Sequence, residues 1–567
     1  TYSPNRGFNV GVGTDVNNAG FMAAHFCDEA IHPEYNDFGE EWFDYWEDGY
    51  KLIRDLNSLL VTIPTLTSIT EQQKNEINAE THFLRAYTYF ALAKRYGGVP
   101  IIKEPQEYNG NIEELRVPRN TEKDTWDFVL EECDQAVSLF GDANENDVLR
   151  ANKWVALALK SRAALYAASV AKFTHQPYVS FSGPAVDQKL VGIEVISADH
   201  YYDECISASQ EIMNSGKFGL YKPSPATPEE ATTNYQKLFE QPFQCLDGLK
   251  EPIFMKAYAA NTILAHNYDV WFSPRQMILD PNLYPGRMNP TLDFVDSFED
   301  YTDDGTGTPK PISTRVDGNE SDYNGFNLST RYLSFPIDKP YQAFAGRDAR
   351  LSAMVLFPGQ NFGSTKIIIQ GGLVKADGSG YHYRTQASEK GQDGLIYYTY
   401  GAEKSTEYSG FDPTLGHYTR SGFLFKKFLQ IESPVEQAWS KGTQPWIDFR
   451  YGEILLNYAE AVIEKTTSTS AEKQAAQDAL NVRKERFVEL AFENKRRWDL
   501  SRWRTFHKEF ENRVRKGLVP FLDLRTNPAH YVFVRVNPLG IESKTFDYSW
   551  YYKSIPGTGA NGLVQNP

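Results

Sequence analysis

Apolar and polar residues follow two rhythms along this chain, and the change between them divides it into regions. From Thr70 to Pro100 the rhythm is helical: Ala79, Phe83, Ala86, Phe90 and Ala93 fall in one stripe, with Ile77, Leu84, Tyr87 and Ala91 in a second stripe beside it. Two apolar stripes predict two packing neighbours. Alternation of alanine with phenylalanine suits close-packed helices, a ring on one set against a small residue on the other. Thr70 with Gln73 reads as a capping box, and Gly97-Gly98 followed by Val99-Pro100 as the stop.

The same plan recurs. A helix is predicted from about Glu40 to Leu60, with Trp46, Tyr50, Ile53, Asn57 and Leu60 at helical spacing. Thr121 with Asp124 opens another through Trp126, Val129, Cys133, Ala136 and Leu139, and after the polar GDANEND loop the alanine-rich NKWVALALKSRAALYAAS supplies its partner. YYDECISASQEIMNSGKFGL ends at Gly216. Before all of these, residues 1–38 are Gly- and Asn-rich, with short apolar pieces FNVGVG and FMAAHF.

From about Gln241 to Pro445 the rhythm breaks. Prolines, glycines and short β-like runs (KIIIQGG, GLIYYTY, GFLFKKFL) replace it, then helical signal returns in PWIDFRYGEILLNYAEAVIEK and KERFVELAFENKRRWDLSRW. The tail from Arg504 is mixed and closes on SIPGTGANGLVQNP. The expected fold is mostly α, a scaffold of tetratricopeptide-like helical hairpins with a long loop-rich insertion containing short strands. The expected regions are 1–245 for the first hairpins, 246–445 for the insertion and 446–567 for the helices and tail completing the scaffold.

Composition narrows the function. At 567 residues and 41% hydrophobic, the chain can bury a large core, and it has no apolar run of membrane-spanning length. Thr1-Tyr2-Ser3 carries neither the basic segment nor the apolar core of a signal peptide, the expectation for a processed or trimmed start. A net charge of −16 argues against a nucleic-acid partner. Cys27, Cys133, Cys205 and Cys245 are too scattered for a disulfide framework or zinc site and read as small buried hydrophobes. Aromatic content of 14% fits a chain that stacks rings on sugars or fills a large core.

Catalytic motifs are missing: no HExxH, GxSxG, P-loop or dinucleotide glycine motif occurs, so no enzyme activity, cofactor or metal is expected. Adjacent carboxylates such as Glu40-Glu41 and Glu131-Glu132 point different ways on a helix and build no glycosidase pair. Asp142, Asn144 and Asn146, and Asp303-Asp304-Gly305, are incomplete calcium loops. Lys495-Arg496-Arg497 with Arg502 and Arg504 lies among Glu489, Glu493, Asp499 and Glu509, where intrahelical pairing is expected. The candidate chemistry is aromatic. AHNYDVWFSPRQMILDPNLYPGRMNP carries Asn267, Tyr268, Trp271, Arg275, Tyr284 and Arg287 in a proline-punctuated stretch, and GLIYYTY carries Tyr397, Tyr398 and Tyr400. Flat rings on loops, flanked by hydrogen-bonding side chains, are what a glycan site requires. Trp271 reads either as a ligand platform or as a buried loop anchor; Trp46, Trp126, Trp154 and Trp498 lie on helical stripes and read as core.

These blocks carry a resemblance. AETHFLRAYTYFALAKRYGGVP, RYGEILLNYAEAVIE and ERFVELAFENKRRWDLSRW, with the shorter NPTLDFVDSFED, GRDARLSAMVLFPG and GFLFKKFL, resemble in order the signature segments of the SusD/RagB family of outer-membrane lipoproteins of Bacteroidetes. The resemblance implies a non-enzymatic receptor on the extracellular face of the outer membrane. It captures oligosaccharides, or peptides in some branches, and forms a lid on a SusC-like TonB-dependent transporter. It also implies attachment through a lipidated N-terminal cysteine; Cys27 lies too deep in the sequence to serve, so a leading segment removed or not observed is expected to carry that anchor. Asp28 and Glu29 resemble an acidic spot near the family's binding face. The resulting ligand-site expectation is Asp28, Glu29, Asn267, Tyr268, Trp271, Tyr284, Arg287 and Tyr398, with a helical interaction scaffold as the alternative. One departure is that Ala479-Leu480-Asn481-Val482-Arg483 runs almost directly into Lys484-Glu485-Arg486, where the family has a loop, so a continuous helix across Arg483 is not expected.

Overall fold

The computed structural model describes residues 23–33, 44–177, 179, 181–262, 265–278, 280, 283–302, 305–414, 416–431, 438–479, 481–510 and 515–537. The FNVGVG piece, the expected helix start at Glu40, Asp303-Asp304 and the closing SIPGTGANGLVQNP lie outside these residues.

The helix at the centre of the pattern runs Glu71–Tyr96. Its capping box is complete: the Gln73 N–H donates to Thr70 Oγ1 at 3.2 Å, and the Thr70 N–H donates to Gln73 Oε1 at 2.9 Å. Gly97, at φ 69°, ends it. It packs against both the Trp46–Thr62 and the Glu122–Phe140 helices, as two stripes require. The second helix of that pair carries its own Thr121–Asp124 capping box. Helix neighbours then follow in succession: Glu122–Phe140 meets Lys153–Phe173, which meets Ala198–Asn214, which meets Tyr451–Glu464. The fold is mostly α with scattered short strands, and a core of small and aromatic residues joins these helices. Trp126, Trp154 and Trp498 are buried in it, and so are all four cysteines in their places. Trp46 is the correction among the tryptophans. It is 36% exposed, because it occupies the first helical turn and lays its ring on the surface pair Tyr50 and Tyr96.

A second core gathers the loop-rich region, and it also draws in the tail. The tail's strands Gly517–Asp523 and His530–Val536 form the middle of a five-stranded sheet completed by Gly372–Val374, Tyr381–Tyr383 and Phe335–Pro336 from the insertion. Only Gly372–Val374 against Gly517–Asp523 is parallel.

Two stretches expected as helix are broken. Trp446–Arg450, the start of PWIDFRYGEILLNYAEAVIEK, is a strand paired with Pro252–Lys256, and the helix begins at Tyr451. This ribbon is the seam between the cores: Ile253 and Phe449 enter the helical core, Met255, Trp446 and Ile447 the other. KERFVELAFENKRRWDLSRW divides into Val482–Glu489 and Arg496–Arg502, with Phe492 and Asn494 at positive φ between them. Ser470–Ala479 is separate from Val482–Glu489, as expected near Arg483.

The break redirects the basic cluster. Arg502 to Asp499 is a pair within one helix, but Arg502 also reaches Glu460, Arg496 reaches Asp28, and Lys495 reaches Glu453. The pairing is tertiary rather than intrahelical, because the turn at 490–494 swings these cations toward the seam. There Arg450 is fully buried among Glu251, Glu489 and Glu493, and Arg162 is held by Glu453 and Asp448.

Candidate functional site

The stretch from Ala265 to Pro290 folds back on itself. After the short Tyr268–Phe272 helix, the Arg287 N–H donates to the Trp271 carbonyl at 2.9 Å and the Gly286 N–H to that of Ser273, also at 2.9 Å. This brings Tyr284 over Trp271, with ring centroids 5.8 Å apart and planes 21° from parallel. Gly286 has φ 71°, and a Cβ there would stand 2.6 Å from the His417 carbonyl oxygen, so only glycine lets the two loops close. The His417 ring then meets Tyr284 edge-on at 5.5 Å.

Trp439 completes the group, edge-on to Trp271 at 5.1 Å and 6.5 Å from Tyr284. The Arg287 guanidinium lies 5.4 Å from the Trp271 ring centre and 5.0 Å from that of Tyr284, within cation–π range of both. Exposure sorts the rings. Tyr284 is 41% exposed and Trp439 half-buried, whereas Trp271 is 3% exposed. Trp271 is the floor on which the accessible rings rest, and Tyr284 with Trp439 forms an accessible aromatic face.

Asn267 is buried and acts on the face indirectly. Its Oδ1 accepts from the Ser440 N–H at 2.7 Å, which fixes the residue after Trp439. The neighbouring His266 and Gly442 exchange backbone bonds. Nδ1 of His266 accepts from the Tyr268 N–H at 3.2 Å while its Nε2 lies 3.2 Å from the Gln444 carbonyl, so the neutral Nε2–H tautomer satisfies both. Burial pushes its pKa down to about 3. Asp269, beneath the same loop, is lifted to about 6 by burial, although Gln444 Nε2 donates to both its oxygens.

The other expected residues lie elsewhere. Tyr268 is 2% exposed and stacks between Phe425 and Trp446 in the loop-rich core, so it offers no face to a ligand. The segment holding Asp28 and Glu29 does run beside Arg287: the His25 Nε2 lies 2.8 Å from the Arg287 carbonyl, and Ala30-Ile31 pairs with Asn289-Pro290. Its carboxylates nevertheless face inward. Asp28 takes a two-pronged bond from Arg496, and Glu29, 1% exposed, accepts from the Phe492 N–H at 3.0 Å. Burial raises Glu29 to about 7. Both tie the N-terminal segment to the 490–496 turn. Tyr398, on the Ile396–Tyr398 strand, lines a cavity of about 230 Å³ with Gln370 and Tyr531 that shares no lining residue with the Tyr284 group. Among the described residues no cluster of His, Cys, Asp or Glu could hold a metal ion.

Sequence reading reached Trp271, Tyr284 and Arg287 because they are close in the chain. It missed Trp439 and His417, which arrive from distant loops; the only signal was a tryptophan in an otherwise polar stretch, EQAWSKG.

A helical scaffold carrying a loop-rich region with its own core is the architecture of SusD-like proteins. A carbohydrate-binding member from Bacteroides fragilis superposes with a TM-score of 0.60 over 94% of this chain and 93% of its own at 19% identity. A second SusD-like protein from the same species gives 0.59 over 91% and 87% at 22% identity. In sequence, the description "Starch-binding associating with outer membrane" matches residues 5–165, and "SusD family" matches residues 250–481 and 465–519. The chain belongs to the SusD family. SusD-like protein P25 of Formosa agariphila is 31% identical over 121 residues, and a SusD-like protein of Bacteroides ovatus 28% over 122 residues. These matches span 21% of this chain and 22% and 21% of the relatives' lengths. The family is associated with the outer membrane, and among the described residues no helix is long and apolar enough to cross a membrane.

Proposed function

We propose that this chain is a non-catalytic receptor on the extracellular face of the outer membrane, which captures oligosaccharides on the Tyr284–Trp439 face. It passes them to a SusC-like TonB-dependent transporter, over which it serves as a lid. The observation that carries the reading is the arrangement of rings: two accessible aromatics on loops, floored by Trp271 and backed by Arg287. Apolar sugar faces pack on such rings while arginine and backbone groups bind hydroxyls. Family membership and likeness to a carbohydrate-binding SusD-like protein support the same reading.

Isothermal titration against a panel of oligosaccharides and peptides tests it. Tyr284→Ala and Trp439→Ala should each weaken glycan binding about 10-fold or more, about 1.4 kcal/mol, without lowering thermal stability. Peptide binding with no glycan response would make this a peptide receptor of the same fold. Co-purification with a large barrel protein from outer membranes is the expected result for the transporter; a chain that leaves mild detergent alone would remove that partner.

A further inference from the structure

Away from the aromatic face, where the tail meets the insertion, lies the cavity of about 230 Å³ that Tyr398 lines. Leu522 and Tyr531 reach it from the two tail strands, Ile367 and Ile369 from the insertion, and Ile396 and Tyr398 from the antiparallel hairpin of Ser388–Lys390 with Ile396–Tyr398. Ile367 and Ile369 are buried. Leu522 and Tyr531 belong to a small apolar core of their own, against which Ile337 and Tyr397 pack. Packing therefore fixes the walls, and apolar side chains make most of their surface.

Most of the polar side chains on those walls are already satisfied. Gln370 spends both amide hydrogens, on the carbonyls of Tyr398 at 2.8 Å and Thr399 at 3.1 Å, and accepts from the Tyr531 hydroxyl at 2.8 Å. The Tyr397 hydroxyl donates to Asp393 at 2.6 Å. Two lining donors keep capacity to spare. The exposed Lys366 ammonium donates to the Asp338 carbonyl at 2.6 Å, next to the lining residue Ile337, and pairs with no carboxylate among the described residues. It has three hydrogens to give. The Tyr398 hydroxyl bonds to no described residue. No Asp or Glu lines the cavity, so nothing there offsets the cation at its rim. Satisfied walls accept an apolar body, and an uncompensated ammonium beside a free hydroxyl accepts one negative group. An apolar cavity of about 150 Å³ already holds benzene. At about 230 Å³ this one takes a single six-membered ring with a short acidic arm.

We infer that this cavity is a second binding site, for a small monocyclic carboxylic acid. Its ring lies against Ile367, Ile369 and Leu522, and its carboxylate accepts from Lys366 and Tyr398 at the rim. One ammonium matches a monoanion, which favours a carboxylate over a phosphate ester. Ile396, 60% exposed, stands at the mouth. The site shares no lining residue with the Tyr284 group, so the inference stands apart from the glycan reading.

The test is titration of the full chain with phenylacetate, followed by calorimetry and by saturation-transfer NMR on the ligand. Its neutral analogue 2-phenylethanol and the ringless acid acetate serve as comparisons. Phenylacetate should bind saturably, and each comparison compound about 10-fold or more weakly, one for want of the charge and the other for want of the buried ring. Lys366→Met should lower phenylacetate to the affinity of the alcohol, and Lys366→Arg should recover most of the loss. Ile396→Glu, which sets a negative charge at the mouth, should weaken the acid about 10-fold. Both positions are exposed, and circular dichroism melting of each variant separates misfolding from lost recognition. No saturable binding, equal affinity for acid and alcohol, or an unchanged Lys366→Met protein would overturn the inference. So would loss of phenylacetate binding in Tyr284→Ala, which would put the acid on the aromatic face. The oligosaccharide titration is a separate measurement, and none of these results decides it.

Discussion

Glu29 shows what a single residue does when tertiary packing removes it from water. Its carboxyl titrates at about 7 in the folded chain, chiefly through burial, against 4.5 for a free glutamate. A raised acid binds a proton on folding, so its contribution is full below about pH 4.5 and is lost as pH rises through 7. The shift corresponds to a difference on the order of 3 kcal/mol. Glu29→Gln, which keeps an acceptor for the Phe492 N–H, should flatten stability between pH 5 and 8 and stabilise the protein at pH 8; unchanged urea midpoints across that range would refute this. Asn267 offers a second residue-scale prediction. Its side-chain Oδ1 holds the Ser440 N–H, so Asn267→Ala should loosen Trp439 and weaken glycan binding several-fold, with little change in melting temperature. Reading the chain in order placed Asn267 among ligand contacts because a side chain's reach is invisible until the loop that meets it is known.

Among elements, the Glu71–Tyr96 helix was legible almost to the residue, because caps and stripes are local. Its exit is set by contact: a Cβ on Gly98 would fall 2.1 Å from the Asn120 carbonyl oxygen, backbone that has no rotamer to yield. Gly98→Ala should therefore destabilise the protein by about 3 kcal/mol, read from denaturant unfolding, whereas Gly141→Ala, with open space around it, should be limited to the strain of its own φ of 51°. The elements that escaped sequence reading are those whose partners lie far along the chain. Trp446–Arg450 looks helical beside the Tyr451–Glu464 pattern, and only Pro252–Lys256 makes it a strand.

Across the whole molecule, the two cores meet at a seam rich in buried ions. Burial alone would push Glu493 up; Arg450 and Lys427 outweigh it and hold the carboxyl below its usual range, and burial of Glu489 is likewise outweighed by Arg450 and Arg350. Removing the shared cation leaves Glu251 without its arginine and halves the pairing of Glu489 and Glu493, which keep Arg350 and Lys427, so Arg450→Met should cost about 3–5 kcal/mol in urea unfolding. Acids held low contribute stability that is lost as pH falls through their folded values, the reverse of Glu29. The intact protein should thus be most stable near pH 5 and weaken on both sides, which a series of melting temperatures from pH 3 to 8 would check.

The sequence by itself determined the helical scaffold, its caps, the buried cysteines and the family, because each rests on neighbours within a few turns or on ordered blocks of residues. It also pointed to the stretch that holds Trp271, Tyr284 and Arg287. Only the tertiary structure decided that Trp271 is a floor and Tyr284 a surface, that Trp439 and His417 join them, and that Asp28, Glu29 and Tyr268 turn inward. Burial and pairing are properties of what the rest of the chain brings to a residue, and no local pattern carries them.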